Sequence, residues 1–164
     1  MTKPVIDSIQ GYDLANVAGI ALACDFIVAA ENAVLGTTAI HVGLICLEPG
    51  LQLSRWIGHK RALQYVMSGD FIPAEEAQRI GITWKVVPVE NLEEETLQLA
   101  RKLATKSPLA LETGKRGFHQ MDGLPLERAV EVGGDLFAAL AASEDAQEGL
   151  EAFLGKRKPV WKER

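Results

Sequence analysis

The sequence predicts an α/β protein in which short buried strands come first and helices follow. Three observations support this prediction. Apolar runs fill the first forty residues, helical segments that close on glycine follow Pro49, and the last third is helical throughout. One late strand-like run, residues 83–88, interrupts the helical part. We therefore predict one domain unit, with a core over residues 1–90 and a C-terminal helical region over residues 91–164.

The composition is typical of a globular chain in a reducing compartment. The 164 residues are 48% hydrophobic and 24% charged, and the formal net charge is −5. This acidic balance disfavours nucleic-acid binding. The cysteines and histidines show no metal-ligand spacing, so we expect no metal site. The N-terminus resembles no signal peptide, and no apolar run reaches the roughly 20 residues of a membrane span. We expect a cytoplasmic protein without membrane contact.

The first forty residues predict a strand, a helix and two further strands. Residues 4–9 form a short apolar run, and residues 14–25 have closely spaced small residues that suit a tightly packed helix. Residues 26–31 and 33–38 have the apolar composition of buried strands, and Asn32 separates them as a turn. These elements form the sheet-bearing part of the predicted core.

The remainder of the chain contains clear helix-end signals. Residues 50–58 and 59–69 each close on a glycine, and residues 73–81 begin with proline followed by acids. Four further helices begin after residue 90, and three of them have N-cap candidates, which are Asn91, Ser107 and Ser143.

Four stretches match the pattern of a single family when taken in order along the chain. They are KPVIDSIQGYDL with LACDFIVAAENAVLG, GHKRALQYVMSGDFIPAEEAQRIGITWKVVP, KSPLALETGKRGF and SEDAQEGLEAFLGKRKPVW. On these stretches the chain resembles the enoyl-CoA hydratase/isomerase (crotonase) family from Lys3 to its end. The resemblance implies a spiral of ββα units, N-terminally incomplete here, followed by C-terminal helices.

The resemblance also implies a chemistry. Members of the family bind acyl-CoA thioesters, and two backbone N–H groups polarise the thioester carbonyl as an oxyanion hole. The coenzyme A thioester enters as substrate, so no separate cofactor is expected. Members usually have a substantial segment before the part that Lys3 begins, with the first oxyanion donor and the loop that holds the CoA adenosine. We expect this chain to lack both, either as a diverged member or as a fragment.

The family's catalytic positions are altered in this sequence. The glycines of the oxyanion loop align with residues 15–17, so the backbone N–H of Asn16 is the expected second donor. The two glutamates of the hydratases align with Gly19 and Ala39. Water addition needs an acid and a base within hydrogen-bond reach, and neither residue can supply one. A standard hydratase is therefore not expected.

Glu48 is the remaining candidate for a catalytic carboxylate. Some enoyl-CoA isomerases of the family use one glutamate from about this loop to move a proton between carbons. The alternative is a solvated loop carboxylate before Pro49. His41 is a weaker candidate for a base. The other nearby acids are interpreted as loop, capping or solvated helix-face carboxylates: Asp13, Asp25, Glu148 and Glu151.

The C-terminal tail is a candidate CoA contact. Phe153 and Lys156 match the aromatic residue and the lysine with which the family's last helix approaches the adenine and phosphate. Arg157 and Lys158 add positive charge. A basic helix end that complements the helix dipole is the alternative.

Two main functional hypotheses follow, and a truncated, purely structural remnant is a minor third. The first is a family member that acts on an acyl-CoA thioester by isomerase-like or other non-hydratase chemistry, active only if a full-length partner or another subunit completes the site. The second is a non-catalytic protein of the same fold that binds acyl-CoA or assembles with relatives. In both, the resemblance implies a homo-oligomer, a trimer or hexamer. Apolar and small residues of the helix over 126–142 suit subunit contact: Leu136, Phe137, Leu140 and Ala141.

Overall fold

The computed structural model of the chain describes residues 1–162. Its contacts define two compact units: Val5–Ala100, here called the strand unit, and Met1–Pro4 together with the chain from Arg101 on, here called the helical unit. In chain order the elements are β1 (Ile6–Ile9), β2 (Tyr12–Leu14), α1 (Asn16–Ala23), β3 (Phe26–Ala30), β4 (Val34–Gly36), α2 (Leu47–Ile57), α3 (His59–Ser68), β5 (Phe71–Pro73), α4 (Ala74–Arg79), β6 (Lys85–Val87), α5 (Leu92–Ala104), α6 (Pro108–Met121), α7 (Leu126–Ala141) and α8 (Glu144–Leu154).

The strand unit contains two three-stranded sheets. The first has the order β1-β3-β6 and is parallel throughout, with Ile6 opposite Phe26 and Val28 opposite Lys85. The second has the order β2-β4-β5, in which β2 and β4 are parallel and β5 is antiparallel. Each successive pair of strands therefore contributes one strand to each sheet. The first two pairs are each followed by a helix as a ββα unit, whereas in the third pair α4 lies between β5 and β6.

The strands predicted over 4–9, 26–31, 33–38 and 83–88 are confirmed as β1, β3, β4 and β6. β2 and β5 were not expected. Each has only three residues, which is too short for an alternating pattern to be visible in the sequence. Both are held by pairing with β4, which no local signal records.

The core of the strand unit lies where the sheets meet the helices that follow them. Its largest fully buried apolar side chains come from different elements: Ile27, Leu35, Leu53, Ile72 and Ile82. The Trp56 Nε1–H donates a hydrogen bond of 2.9 Å to the carbonyl oxygen of Leu22. This bond joins the last turn of α2 to α1, so the two helices pack at a defined position.

The helical unit confirms two predicted N-caps. The Ser107 hydroxyl oxygen accepts from the Ala110 N–H at 3.0 Å, and that of Ser143 accepts from the Ala146 N–H at 3.1 Å. The Ser107 hydroxyl also donates a hydrogen bond of 2.5 Å to the buried carboxylate of Asp145. The start of α6 is thus tied to the start of α8.

Glu148 is an anchor for the C-terminal tail, so its interpretation as a solvated helix-face carboxylate is wrong. Its carboxylate accepts from both Arg157 Nη atoms, at 2.6 and 2.9 Å, and from the Val160 N–H at 2.7 Å. These bonds lower the pKa of Glu148 from the usual 4.5 to about 2. Its contribution to stability is therefore present above about pH 4.5 and is lost as the pH falls toward 2.

No helix within residues 1–162 combines the length and the apolar character required to cross a membrane. No group of three or more histidine, cysteine, aspartate or glutamate side chains in the same range could hold a metal ion.

Candidate functional site

The loop before α1 keeps a backbone shape that glycine favours. Ala15 has φ 53° and ψ −121°, a backbone conformation that residues with a Cβ rarely adopt. Its N–H donates to the carbonyl oxygen of Gly36 at 2.8 Å, which holds the loop against the end of β4. The main-chain turn is therefore retained, although residue 15 is alanine.

Asn16 begins α1 and presents its backbone N–H at the exposed start of the helix. Helix-start N–H groups have no intrahelical acceptor, and the helix dipole adds partial positive charge there. Within residues 1–162 the Asn16 N–H meets no acceptor, whereas the Gly19 N–H bonds to the Ala15 carbonyl oxygen at 3.3 Å. This geometry leaves the Asn16 donor available to a ligand oxygen.

Replacing Ala15 by glycine is expected to stabilise the protein by about 1 kcal/mol. The relief of strain at the positive φ outweighs the greater conformational entropy that glycine gives the unfolded chain. Thermal unfolding should shift upward by roughly 2–4 °C. Ala21→Gly is the matched control, since Ala21 lies fully buried inside α1 and its replacement should lower stability. A decrease in stability for Ala15→Gly would contradict this account of the loop.

Glu48 lies in the first turn of α2, so its expected position in a loop is wrong. The helix begins at Leu47, and Pro49 is accommodated because first-turn residues need no intrahelical N–H bond. Glu48 is exposed, but its carboxylate extends over α1. Its Oε2 lies 2.9 Å from the point where a Cβ on Gly19 would stand.

The glycine at position 19 and the carboxylate at position 48 are therefore linked. A Cβ at residue 19 would meet Glu48 Oε2 at 2.9 Å and Pro49 Cγ at 3.2 Å, both closer than ordinary packing allows. The absence of a side chain on Gly19 opens the space that the Glu48 carboxylate enters. The sequence drew attention to each of the two residues but did not indicate that they are close in space. The packing of α1 on α2 brings them together.

The second position predicted to be altered supplies no base, and its neighbour His41 has one ring nitrogen engaged in a hydrogen bond. Ala39 lies half-buried in a 3₁₀ turn, Thr38–Val42, and has no acid–base group. His41 in the same turn has its Nε2 3.1 Å from the Gly69 carbonyl oxygen, at the end of α3. This ring nitrogen is engaged in holding the turn to α3.

Two aspartates of the loop region have structural roles. Asp25 accepts from the Val5 N–H at 2.7 Å, which ties the turn after α1 to the residue before β1 and does not cap a helix. Asp13, expected in a loop, is instead a buried residue of β2. Burial, with a smaller effect from Asp7, raises the pKa of Asp13. Its Oδ2 has no hydrogen-bond partner in the described part of the chain.

The candidate CoA contacts lie in the helical unit. Phe153 is 80% exposed near the end of α8, and Lys156 follows in the left-handed region with φ 51°. Arg157, which was expected to add free positive charge, is paired with Glu148 instead. Phe153, Lys156 and Lys158 therefore remain the accessible candidates of the tail.

Sequence reasoning missed a set of exposed apolar side chains on the elements around Glu48. They are Val17 and Ile20 on α1, Leu44 and Ile45 in the loop before α2, and Leu47 and Leu51 on α2. Apolar residues recur in α1 and α2 on the faces that do not pack into the core. This spacing was the signal available in the sequence. An exposed apolar group of this kind suits an apolar ligand.

Comparisons with known proteins agree with this architecture. A family model described as enoyl-CoA hydratase/isomerase matches residues 1–164. The chain is 40% identical over 163 residues to the 2,3-dehydroadipyl-CoA hydratase of Escherichia coli (strain K12), and the match covers 99% of this chain and 64% of that protein. It is 37% identical over 158 residues to the human enoyl-CoA hydratase domain-containing protein 3, mitochondrial, covering 96% of this chain and 52% of that protein.

Solved structures are similar over nearly the whole chain. The enoyl-CoA hydratase from Bacillus anthracis aligns with a TM-score of 0.94 at 34% identity, covering 99% of this chain and 64% of that one. The human enoyl-CoA hydratase domain-containing protein 3 aligns with a TM-score of 0.92 at 37% identity, covering 98% and 63%. The chain thus spans between half and two thirds of the length of these relatives. The chain belongs to the enoyl-CoA hydratase/isomerase family and has the crotonase fold.

Proposed function

We propose that this protein binds an acyl-CoA thioester and isomerises a 3-enoyl-CoA, with Glu48 as its single base. The supporting observation is the position of the Glu48 carboxylate over Gly19, with Oε2 2.9 Å from where a residue-19 Cβ would stand. In this proposal a carboxylate on α2 replaces the glutamate that hydratases of the family place on α1.

The reaction needs only one acid–base group. The Glu48 carboxylate removes a proton from C2 of the 3-enoyl thioester, and the electron pair moves onto the thioester oxygen as a dienolate. The same carboxyl group returns the proton to C4, which gives the 2-enoyl thioester and restores the carboxylate. The Asn16 N–H at the start of α1 would donate to the dienolate oxygen.

Hydration is not proposed, because it needs a second group to hold and activate water. Gly19 and Ala39 occupy both positions where the family's hydratases have glutamates, and His41 is bonded to Gly69. Each missing acid–base role is typically worth roughly 10²–10⁴ in rate. The effects of residues that act together are not additive, but even the smaller loss leaves a poor hydratase.

A thioester absorbance assay tests the proposal with two substrates. We expect turnover of a 3-enoyl-CoA and negligible hydration of crotonyl-CoA by the purified protein. Strong crotonyl-CoA hydration would refute the assignment of Gly19 and Ala39 to the catalytic positions. Inactivity on both substrates, with acyl-CoA still bound, would favour the second candidate function.

That second candidate is a non-catalytic acyl-CoA-binding protein of the same fold. The observation that favours it is the exposure of Glu48, whose carboxylate accepts no hydrogen bond from another residue within residues 1–162. A side chain at Asn16, where the family usually has glycine, also restricts the approach of a ligand to the loop. Binding without turnover would support this candidate.

Lys156 is proposed to bind the CoA phosphate beside an adenine held by Phe153. The Lys156→Ala variant should weaken CoA binding by roughly 3–10-fold, because one exposed charge–phosphate contact is lost. The decrease should be larger at low salt, where charges are less screened. Lys102→Ala, which removes an exposed lysine of α5, is the control. Equal CoA affinity for both variants would support the helix-dipole role of the basic tail.

A homo-oligomer based on trimers is also proposed. No residue of α7 is fully buried, and Phe137 is 74% exposed on it. Such an apolar helix surface needs cover, which a second copy would supply. Light scattering at micromolar concentration should give a multiple of three chains. A monomer would contradict the proposal.

A further inference from the structure

We infer that Glu148 is a positioning residue for CoA binding: through Arg157 it holds Lys156 in the conformation that presents this lysine to a CoA phosphate. The inference rests on the proposed contact between Lys156 and the phosphate. It adds a residue that acts on the ligand without touching it. Three features of the helical unit support it.

The first feature is the end of α8, where a lysine stands in a position that glycine usually takes. The Arg157 N–H donates to the Ala152 carbonyl oxygen at 3.0 Å. The Lys156 N–H donates to the Phe153 carbonyl oxygen at 3.2 Å. These two bonds form a Schellman motif, whose left-handed residue is usually glycine because glycine has no Cβ. Here that residue is Lys156, with φ 51°, whereas the glycine before it, Gly155, has φ −79°. A lysine in this conformation costs free energy, so the surrounding contacts have to maintain it.

The second feature is the contact that Glu148 supplies directly after this turn. Its carboxylate accepts from both Nη atoms of Arg157, at 2.6 and 2.9 Å, and from the Val160 N–H at 2.7 Å. The Glu148 side chain is only 12% exposed, so these charge-assisted bonds are less screened by solvent than those of a typical surface pair. Because Arg157 follows Lys156 directly, fixing Arg157 also restricts the backbone of Lys156.

The third feature is the different state of the two neighbouring cations. Arg157 is occupied by Glu148, whereas Lys156 is exposed and no carboxylate within residues 1–162 pairs with its ammonium group. Phe153, whose carbonyl oxygen accepts the Lys156 N–H, is 80% exposed in the same turn. A lysine that is held in an unfavourable backbone conformation, with an unpaired ammonium group beside an exposed ring, suits a phosphate ligand.

Positioning and simple electrostatics predict opposite effects for Glu148→Gln. The substitution removes a negative charge near Lys156 and releases Arg157, so charge alone would strengthen the binding of an anionic ligand. If Glu148 positions Lys156, the loss of the charged acceptor frees the turn and CoA binding weakens. Glu151→Gln is the matched control, because Glu151 is an exposed carboxylate of the same helix whose Oε2 lies 3.9 Å from Arg157 Nη2. It removes the same charge, and CoA affinity should be unchanged or slightly higher.

The test is a double-mutant cycle with free CoA as the ligand, followed by titration calorimetry below the unfolding temperature of every variant. Glu148→Gln should raise the Kd for CoA roughly threefold in the parent protein. In the Lys156→Ala background it should have little further effect, because no lysine remains to be positioned. A purely structural effect on the tail would weaken binding equally in both backgrounds. Equal weakening, or no weakening in the parent protein, would overturn the inference.

A second variant, Arg157→Lys, tests the ion pair without changing the net charge. Lysine keeps the positive charge but lacks the planar fork that donates two hydrogen bonds to the Glu148 carboxylate. We expect CoA binding to weaken in the same direction as in Glu148→Gln. CoA affinity equal to that of the parent protein in Arg157→Lys would also overturn the inference.

The outcomes separate this inference from the proposals on which it builds. If Lys156→Ala leaves CoA affinity unchanged, the proposed phosphate contact fails and the positioning role of Glu148 fails with it. If Lys156→Ala weakens binding and Glu148→Gln does not, the contact stands and only the role of Glu148 is overturned. Neither result depends on isomerisation, because free CoA has no acyl group.

Discussion

Replacing Glu48 by glutamine should lower the rate of 3-enoyl-CoA isomerisation by roughly 10²–10⁴-fold, the usual contribution of a positioned acid–base group. The amide has nearly the same size as the carboxylate but cannot accept and return a proton. Acyl-CoA binding should change little, so the loss should appear in kcat. Glu31→Gln is the matched control, because Glu31 is an exposed carboxylate that follows β3 in the same unit.

A second variant tests the position of the carboxylate and not only its presence. Gly19→Ala adds a Cβ at a point 2.9 Å from Glu48 Oε2, so the carboxylate has to move. Displacements of about 1 Å can cost up to about 10² in rate. Alanine also favours a helix more than glycine does, so α1 itself should not be weakened. Full isomerase activity in Glu48→Gln or in Gly19→Ala would refute the assignment of the base.

Asp145→Ala should destabilise the protein by roughly 3 kcal/mol, which corresponds to a decrease of about 6–12 °C in the unfolding temperature. Asp145 is only 2% exposed. It accepts the Ser107 hydroxyl through Oδ2, and its Oδ1 accepts the Lys162 N–H at 2.7 Å. Its removal leaves these two donors without their charged acceptor, at the junction of α6, α8 and the tail.

The control for this variant is Asp135→Ala on the exposed surface of α7. It makes the same chemical change on a solvated helix face, where the free energy of unfolding should change by less than about 0.5 kcal/mol. Chemical denaturation measured in parallel for both variants gives the comparison. Equal stability of Asp145→Ala and the parent protein would show that the buried carboxylate is not an anchor.

Most of the secondary structure could be predicted because its signals are local. The capping serines, the glycines that end α2 and α3, and the apolar runs of β1, β3, β4 and β6 were readable from neighbouring residues. β2 and β5 could not be predicted, since each is a three-residue strand defined by its pairing with β4. The start of α2 was also missed, because Pro49 concealed a helix that begins two residues earlier.

The candidate site and the C-terminal tail also have features that the sequence predicts and features that it does not. The sequence predicted the Asn16 N–H as a donor, which stays a prediction, and showed that Gly19 and Ala39 have no acid–base group. It could not show that Glu148 holds Arg157 and Val160, because the residues meet only where the tail folds back along α8. A carboxylate at a helical position has the same local pattern whether it faces solvent or binds a distant segment.

By itself, the sequence determined the family and the order of most helices and strands, since both depend on residue identity and near-neighbour spacing. Only the tertiary structure decided that the Glu48 carboxylate enters the space that Gly19 leaves open. The two residues are 29 positions apart (48 minus 19) and lie on different helices. Their proximity results from the packing of α1 against α2, where the Trp56 bond to Leu22 sets how the helices meet. Spacing along a chain records the geometry within one helix, whereas the distance between two helices is determined by side-chain packing.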